Sequence, residues 1–277
     1  MSFFYSLVTM KITTITKKEL EELQQAKKLL ENPGIAMKIT NTLGSPIQQG
    51  LSMLPKNWNE KLGEVTQASL LKASEAAIFT MNNSPEEKTN NILHKIAAGA
   101  TGAMGGLFGL AGLALELPIT TTIIMRSIAD IARSNGENIN EPYTKFACLE
   151  VFALDGNSNE KNDLESSYYT TRAVLSNSMS QATKYVTEQG IVAEGAPFFL
   201  NIIGKIAEKF GIQVTEKTVA QSVPIIGAAG GALINTLFIS HFQDMAIGHF
   251  TIRRLERKYG QEYIHKIYNL PSLNQSQ

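Results

Sequence analysis

Cysteine is almost absent. Cys148 is the single one in 277 residues, so no disulfide within the chain can staple the fold, which fits a reducing compartment. Its neighbours in Phe146-Ala147-Cys148-Leu149 are apolar, and no basic residue stands beside it to favour the thiolate, so it reads as a buried, inert thiol. An excess of one charge is missing too. Lys+Arg and Asp+Glu both number 25, which removes any general pull toward nucleic acid or anionic lipid. The densest basic patch, Arg253-Arg254-Leu255-Glu256-Arg257-Lys258, is diluted by its own glutamate, and no nucleic-acid partner is expected. Period-two alternation never runs long enough to define a sheet, although Ile212-Gln213-Val214-Thr215 suits an isolated strand. No nucleophile elbow, phosphate-binding glycine loop, dinucleotide fingerprint, CxxC pair or calcium loop occurs, so no cofactor is expected. The apolar patch in MSFFYSLVTMK has no positive charge before it and no small-residue cleavage signal, and does not read as a signal peptide.

Hydrophobic residues are 43% of the chain and charged residues 18%, a globular or membrane-touching composition. Two glycine-bearing apolar runs dominate it. The first extends from Ile96 to Arg133, and the second is SVPIIGAAGGALINTLFISHF, from Ser222 to Phe242. Gly102-Ala103-Met104-Gly105-Gly106 in the first is echoed by Gly227-Ala228-Ala229-Gly230-Gly231 in the second. In the first run glycines recur every three or four residues through Gly109 and Gly112, one stripe at helical pitch. Each glycine costs about 1 kcal/mol in helix propensity relative to alanine. Such a stripe therefore implies two backbones brought close, either in a bilayer or at a tight crossing in a bundle. Gly102, Gly105, Gly106, Gly109, Gly227, Gly230 and Gly231 are the expected packing positions.

Elsewhere the signals are helical, and the expected fold is an all-α bundle built around the two glycine-bearing helices. Thr16 and Glu19 form a capping box for a helix ended by Pro33-Gly34. Short helices follow up to Pro55, then a longer one from Asn57. Ser84-Pro85 opens a helix into the first glycine run, Pro118 is expected to break that run, and a separate helix then ends at Gly136. Glu141-Pro142 starts another, closed by Asp155-Gly156. GNSNEKND reads as a loop, and the segment from Glu194 to Gln221 as two helices. The second run continues as one long helix containing Gly248, with Gly260 near its end. Residues 1–15 read as an N-terminal extension, 16–270 as one helical domain and 271–277 as a tail.

Two polar stripes interrupt the apolar pattern. Arg126, Asp130 and Arg133 share one face of their helix, and His249, Arg253 and Glu256 share another at the same spacing. If the two helices face each other, these six residues form one buried polar cluster, joined by Asn235 or Glu116. Such a cluster would serve bundle specificity or bind an anionic group. His241 and His249 are about 12 Å apart along a continuous helix and roughly 80° apart around it. They could share a metal only with a break at Gly248 or ligands from other segments. None of the histidines stands in an HExxH pattern, and no metal site is expected. Asp244, three residues after His241, is placed to hydrogen-bond that ring.

The blocks LPITTTIIMRSIADIAR with CLEVFALDG, and VPIIGAAGGALINTLFISHFQDMAIGHFTIRRLERKYG, resemble the EcsC family of bacterial proteins, over roughly Lys17 to Tyr268. The second block is the more specific, with Asn235, His241, His249-Phe250 and RRLERKYG in order. The resemblance implies a cytoplasmic or membrane-associated protein and, through the family's name-giving member, a link to an ABC exporter and secretion. It brings no catalytic residues. Three functional readings follow. One is an accessory or binding protein at the inner face of the bacterial membrane, with a membrane, membrane protein or ABC transporter component as partner. The second is a peptidase-like hydrolase using His241, Asp244 and His249. The third is a membrane-perturbing effector that shields its glycine-bearing helices until triggered.

Overall fold

The computed structural model describes residues 14–31, 34–43, 54, 56–80, 109–155, 166–189, 197–221 and 227–270. Among them are nine α-helices, one 3-10 turn and no strand: α1 Lys17–Leu30, α2 Ile35–Leu43, α3 Trp58–Thr80, α4 Gly109–Ser134, α5 Pro142–Glu150, the turn Val151–Ala153, α6 Ser167–Gln189, α7 Pro197–Gln221, α8 Gly227–Tyr259 and α9 Gln261–Tyr268. The expected all-α bundle is what forms.

Helix α8 is the axis. Phe238, Phe242, Met245, His249 and Ile252 recur at alternating four- and three-residue steps and are all fully buried, the spacing that keeps one helical face against a neighbour. Phe242 meets Phe152, Phe210 and Phe238 at ring-centroid distances of 5.2, 5.5 and 5.1 Å, in the tilted and edge-on geometries that aromatic quadrupoles favour. Around α8 lie α1, α2, α4, α7 and α9, while α3 covers α4 and α7, and α6 bridges α5 and α7.

Helix α1 runs antiparallel along α8. It starts as its sequence dictates: the Thr16 hydroxyl accepts from the Glu19 amide at 3.3 Å and donates to the Glu19 carboxylate at 2.6 Å. Along the pair, Lys258 and Tyr259 each donate to Glu19 at 2.6 Å, and Arg254 donates to Glu22 at 2.6 Å. At the crossing stands Gly248. A Cβ there would lie 2.6 Å from Leu30 Cγ and 3.0 Å from the Ala26 carbonyl oxygen. The close backbone approach thus occurs at Gly248, in the body of α8. Of the expected packing glycines, Gly102, Gly105 and Gly106 lie outside the described residues, as does the helix expected from Pro85. Gly109, Gly227, Gly230 and Gly231 lie at the N-terminal ends of α4 and α8, two helices that pack on each other.

Four local expectations are corrected. Pro118 does not break its helix, because α4 runs through it from Gly109 to Ser134. The carbonyl deprived of a partner by the proline belongs to Ala114, whose residue is exposed, so water can satisfy it. Ile212-Gln213-Val214-Thr215 is helical, and the segment expected as two helices is the single α7. Burial of Val214 and Gln213 against the core overrides the weak β preference of four residues. Gly260, at φ +93°, separates α8 from α9, so the C-terminal segment is two helices. Gly136, at φ +78°, does end α4 as expected.

Among the described residues one stretch, Gly112–Ser134 of α4, is long and apolar enough to cross a membrane, and 56% of its apolar window is buried in the fold. That degree of burial is what a core helix shows.

Gly248→Ala is expected to destabilise the protein by about 1–2 kcal/mol, because a methyl on the Ala26 carbonyl forces α1 and α8 apart, outweighing the gain of about 1 kcal/mol in helix propensity. Urea denaturation measures it, and an unchanged or raised midpoint would show that the crossing is looser than described.

Candidate functional site

His249 sits on the apolar stripe of α8, where an unpartnered imidazole would be costly. Its Nδ1 lies 3.1 Å from the Tyr168 hydroxyl of α6. Arg172, one turn after Tyr168, donates to that hydroxyl at 3.2 Å. With the hydroxyl oxygen accepting from Arg172, its proton is free for Nδ1, which leaves the ring hydrogen on Nε2, facing Glu150 Oε2 of α5 at 3.6 Å. That separation exceeds a hydrogen bond. Burial first, then the Arg253 and Arg172 charges, hold His249 far below the usual imidazole range, so the ring is neutral.

Two ion pairs flank this line. Arg172 forks onto Glu256 with hydrogen bonds of 2.8 and 2.9 Å, and Tyr169 donates to the same carboxylate at 3.3 Å. Arg253 forks onto Glu137 at 2.9 and 3.2 Å. Glu137 follows Gly136 in the helix-ending turn, where its amide donates to the Ala132 carbonyl at 3.1 Å, a Schellman cap that aims it toward α8. Thr144 and Arg257 also donate to it. Burial pushes the Glu137 carboxyl up, but Arg253, Arg257 and Thr144 together outweigh this and hold it below the usual range.

Over the network lies an open cleft of about 990 Å³, walled by α5, α6 and α9 and lined by Glu150, Tyr169, Arg172 and His265 among others. Glu150 is 2% exposed. Burial, eased by Arg172 and Arg253 and reinforced by Glu256, pushes its carboxyl up to about 7. A buried acid poised near neutrality in a cleft is the kind of group binding and catalytic sites use.

The structure thus brings His249, Arg253 and Glu256 into one network, but their partners are Glu150, Glu137, Tyr168 and Arg172, none of them in the Arg126 stripe. The reason is rotational. Ser127, one residue on and about 100° around α4, is the buried position facing α8, where Gln243 donates to its hydroxyl at 2.9 Å. Arg126 is half-buried, and Asp130 pairs with Arg133 on its own helix. Glu116 pairs with the buried Lys217 of α7, away from the cluster. His241 is fully buried, and Asp244 pairs with Lys38 at 2.9 Å, which leaves it no role in orienting that ring. Among the described residues neither His241 nitrogen meets the geometry of a hydrogen bond, nor does Asn235 Oδ1. The Leu154 carbonyl beside the ring favours its protonation, but burial and the Lys38 charge prevail and pull His241 down to about 3. Cys148 is buried and pushed up to about 12 by desolvation, the inert thiol its neighbours suggested.

Among the described residues no three His, Cys, Asp or Glu side chains are grouped to hold a metal ion. Sequence reasoning missed Glu137, Glu150, Tyr168, Tyr169 and Arg172. Two signals were present: a lone acid inside the apolar block FACLEVFAL, and the one-turn spacing of Tyr168 and Arg172.

These features define an all-α protein whose long core helix carries a buried ion-pair network beneath a cleft of small-molecule size. The chain belongs to the EcsC protein family, which matches residues 17–255. None of the curated proteins and none of the solved structures matches it.

Glu256→Ala, which strands the Arg172 charge, is expected to cost about 3 kcal/mol, and the double replacement Arg172→Met with Glu256→Leu clearly less. Equal losses in the two variants would show that the pair is not a unit.

Two groups set the pH dependence in opposite senses. Unfolded His241 titrates near 6.5 and the folded group near 3, so its contribution is full above pH 6.5 and is lost as pH falls toward 3. Unfolded Glu150 titrates near 4.5 and the folded group near 7, so its contribution is full below pH 4.5 and is lost as pH rises through 7. Glu150→Gln should therefore flatten the decline in urea midpoint between pH 5 and 8. A decline as steep as in the unsubstituted protein would remove Glu150 as its cause.

Proposed function

We propose that this protein is a non-catalytic binding or accessory protein that docks peripherally on the cytoplasmic face of a bacterial membrane, in service of a membrane transporter. The observation that carries the reading is on α4. Leu115 and Ile119, one turn apart, are 69% and 60% exposed, on the helix that contains the apolar, membrane-length stretch. Glu116, the acid between them in sequence, is paired with Lys217, so its charge is compensated where the apolar pair meets solvent. The chain's zero formal net charge gives no long-range pull toward anionic headgroups, so apolar insertion supplies the affinity.

Docking fits this helix better than spanning does. To cross a bilayer, α4 would have to leave α3, α8 and α5, which cover it, and expose their apolar faces to water. The transporter connection rests on the family's name-giving member, encoded beside an ABC exporter. A hydrolase built on His241, Asp244 and His249 finds no support in the geometry, since His241 is sealed in the core and Asp244 is committed to Lys38.

Flotation of the full chain with phosphatidylcholine vesicles is the test. Co-flotation that persists in high salt is expected, and Leu115→Asp with Ile119→Asp should lower it by about tenfold or more. Wild-type protein left at the bottom of the gradient ends the docking reading, and release of entrapped dye would replace it with membrane perturbation.

A further inference from the structure

The network beneath the cleft contains three carboxyls with buried side chains, Glu137, Glu150 and Glu256, and two guanidiniums, the buried Arg253 and the mostly buried Arg172. Arg172 is committed to Glu256 and Arg253 to Glu137, each through two hydrogen bonds, and Glu137 has Arg257 in addition. Glu150 is the acid left over. Among the described residues no hydrogen bond reaches its carboxyl, and the nearest ring nitrogen, Nε2 of the neutral His249, stands at 3.6 Å with no hydrogen-bond partner of its own. A buried carboxyl with unused acceptor capacity ordinarily has a partner. This one lines an open cleft, so a partner can come from outside.

We propose that the cleft between α5, α6 and α9 binds a small organic amine with an apolar or aromatic tail, its ammonium group seated on Glu150. Charge complementarity selects the class. An ammonium N–H gives Glu150 the direct hydrogen bond that Arg172 and Arg253, forked onto other carboxylates, do not make, and adds to their partial charge compensation. An anion would meet guanidiniums already forked onto carboxylates, together with the uncompensated acid. Tyr169 forms part of the wall, and Tyr143, 46% exposed, stands among the lining residues. Both rings already lie near guanidiniums, Arg172 at 5.6 Å from Tyr169 and Arg253 at 4.8 Å from Tyr143, so what they offer the ligand is aromatic surface for its flat tail. Ser176 and Ser180 follow one another at one-turn spacing on α6 along the same wall and offer hydroxyls to polar groups on the tail. A volume of about 990 Å³ is at the upper end of small-molecule sites.

Binding of this kind is coupled to a proton. The groups around Glu150 are Arg172 and Tyr168 from α6, His249, Arg253 and Glu256 from α8, Glu137 from the turn before α5, and Glu262 and His265 of α9 at the cleft. With burial dominant among these influences, Glu150 holds its proton at pH 6 and has largely lost it at pH 8. Seating an ammonium at pH 6 therefore expels a proton, and affinity rises with pH. The inference stands apart from the membrane-docking reading, since the amine site requires no lipid.

The test is titration calorimetry of the full chain with phenethylamine, which stays protonated at both pH values, in two buffers of different ionisation enthalpy, with phenylacetate as the charge-reversed control. One saturable site is expected, with close to one proton released at pH 6, almost none at pH 8, and no binding of phenylacetate. Glu150→Gln, checked for native helix content, should weaken binding by about thirtyfold or more. Tyr143→Ala, checked for native helix content in the same way because its ring also lies under Arg253 at 4.8 Å, should weaken it by severalfold. No binding of phenethylamine, tighter binding of phenylacetate, unchanged affinity in Glu150→Gln, or the absence of proton release at pH 6 would each overturn the proposal.

Discussion

The fold depends on a constraint set by α8: a helix of 33 residues buried along most of its length while carrying His241, His249 and Arg253 at fully or nearly fully buried positions. Apolar burial drives the other helices onto it at roughly 25 cal/mol per Å² of covered surface. That drive is indifferent to orientation, whereas the polar groups are not. Arg253 needs Glu137, so the end of α4 must turn at Gly136; His249 needs Tyr168, so α6 must lie across the α5 side of the bundle. The polar residues of the axis thus fix which way around the apolar ones assemble. This is the register role that buried ionic groups fill best, whatever their net effect on stability.

The same residues shape the electrostatics of the cleft. Fork-shaped guanidinium–carboxylate pairs are geometrically specific and leave little directional capacity for other partners. Arg172 and Arg253 therefore work as walls with compensated charge, and the chemical character of the opening falls to the group they do not satisfy. A neutral His249 behind Glu150 supports this division, since an imidazolium there would have completed the third ion pair and closed the site electrostatically.

Much of the fold was legible in the sequence, and the reasons are local. Thr16 with Glu19, Gly136, and Pro142 after Glu141 act through their own backbone and one neighbouring turn, so they signal where helices begin and end without knowledge of the rest. Pro118 misled because the cost of proline depends on whether the carbonyl four residues earlier can reach water, and exposure of Ala114 is a tertiary fact. The site was legible in half. The spacing of His249, Arg253 and Glu256 announced a shared face, but the partners come from α5, α6 and a helix-ending turn. The same three-and-four spacing at Arg126, Asp130 and Arg133 could not say which side of α4 meets α8; the answer was Ser127.

The antiparallel clasp of α1 on α8 joins segments that lie far apart in sequence. Lys27 donates to the carbonyl of Tyr268 at 2.7 Å, across 241 positions of sequence, and Glu19 meets Lys258 across 239. During synthesis α1 leaves the ribosome long before the α8 residues that form its docking groove. Until then Leu23, Ala26 and Leu30 have no groove to enter. Contacts of such high sequence separation are slow to close and leave apolar surface exposed meanwhile. Until α8 has been made, the nascent form therefore presents an amphipathic helix to whatever holds such helices in the cell.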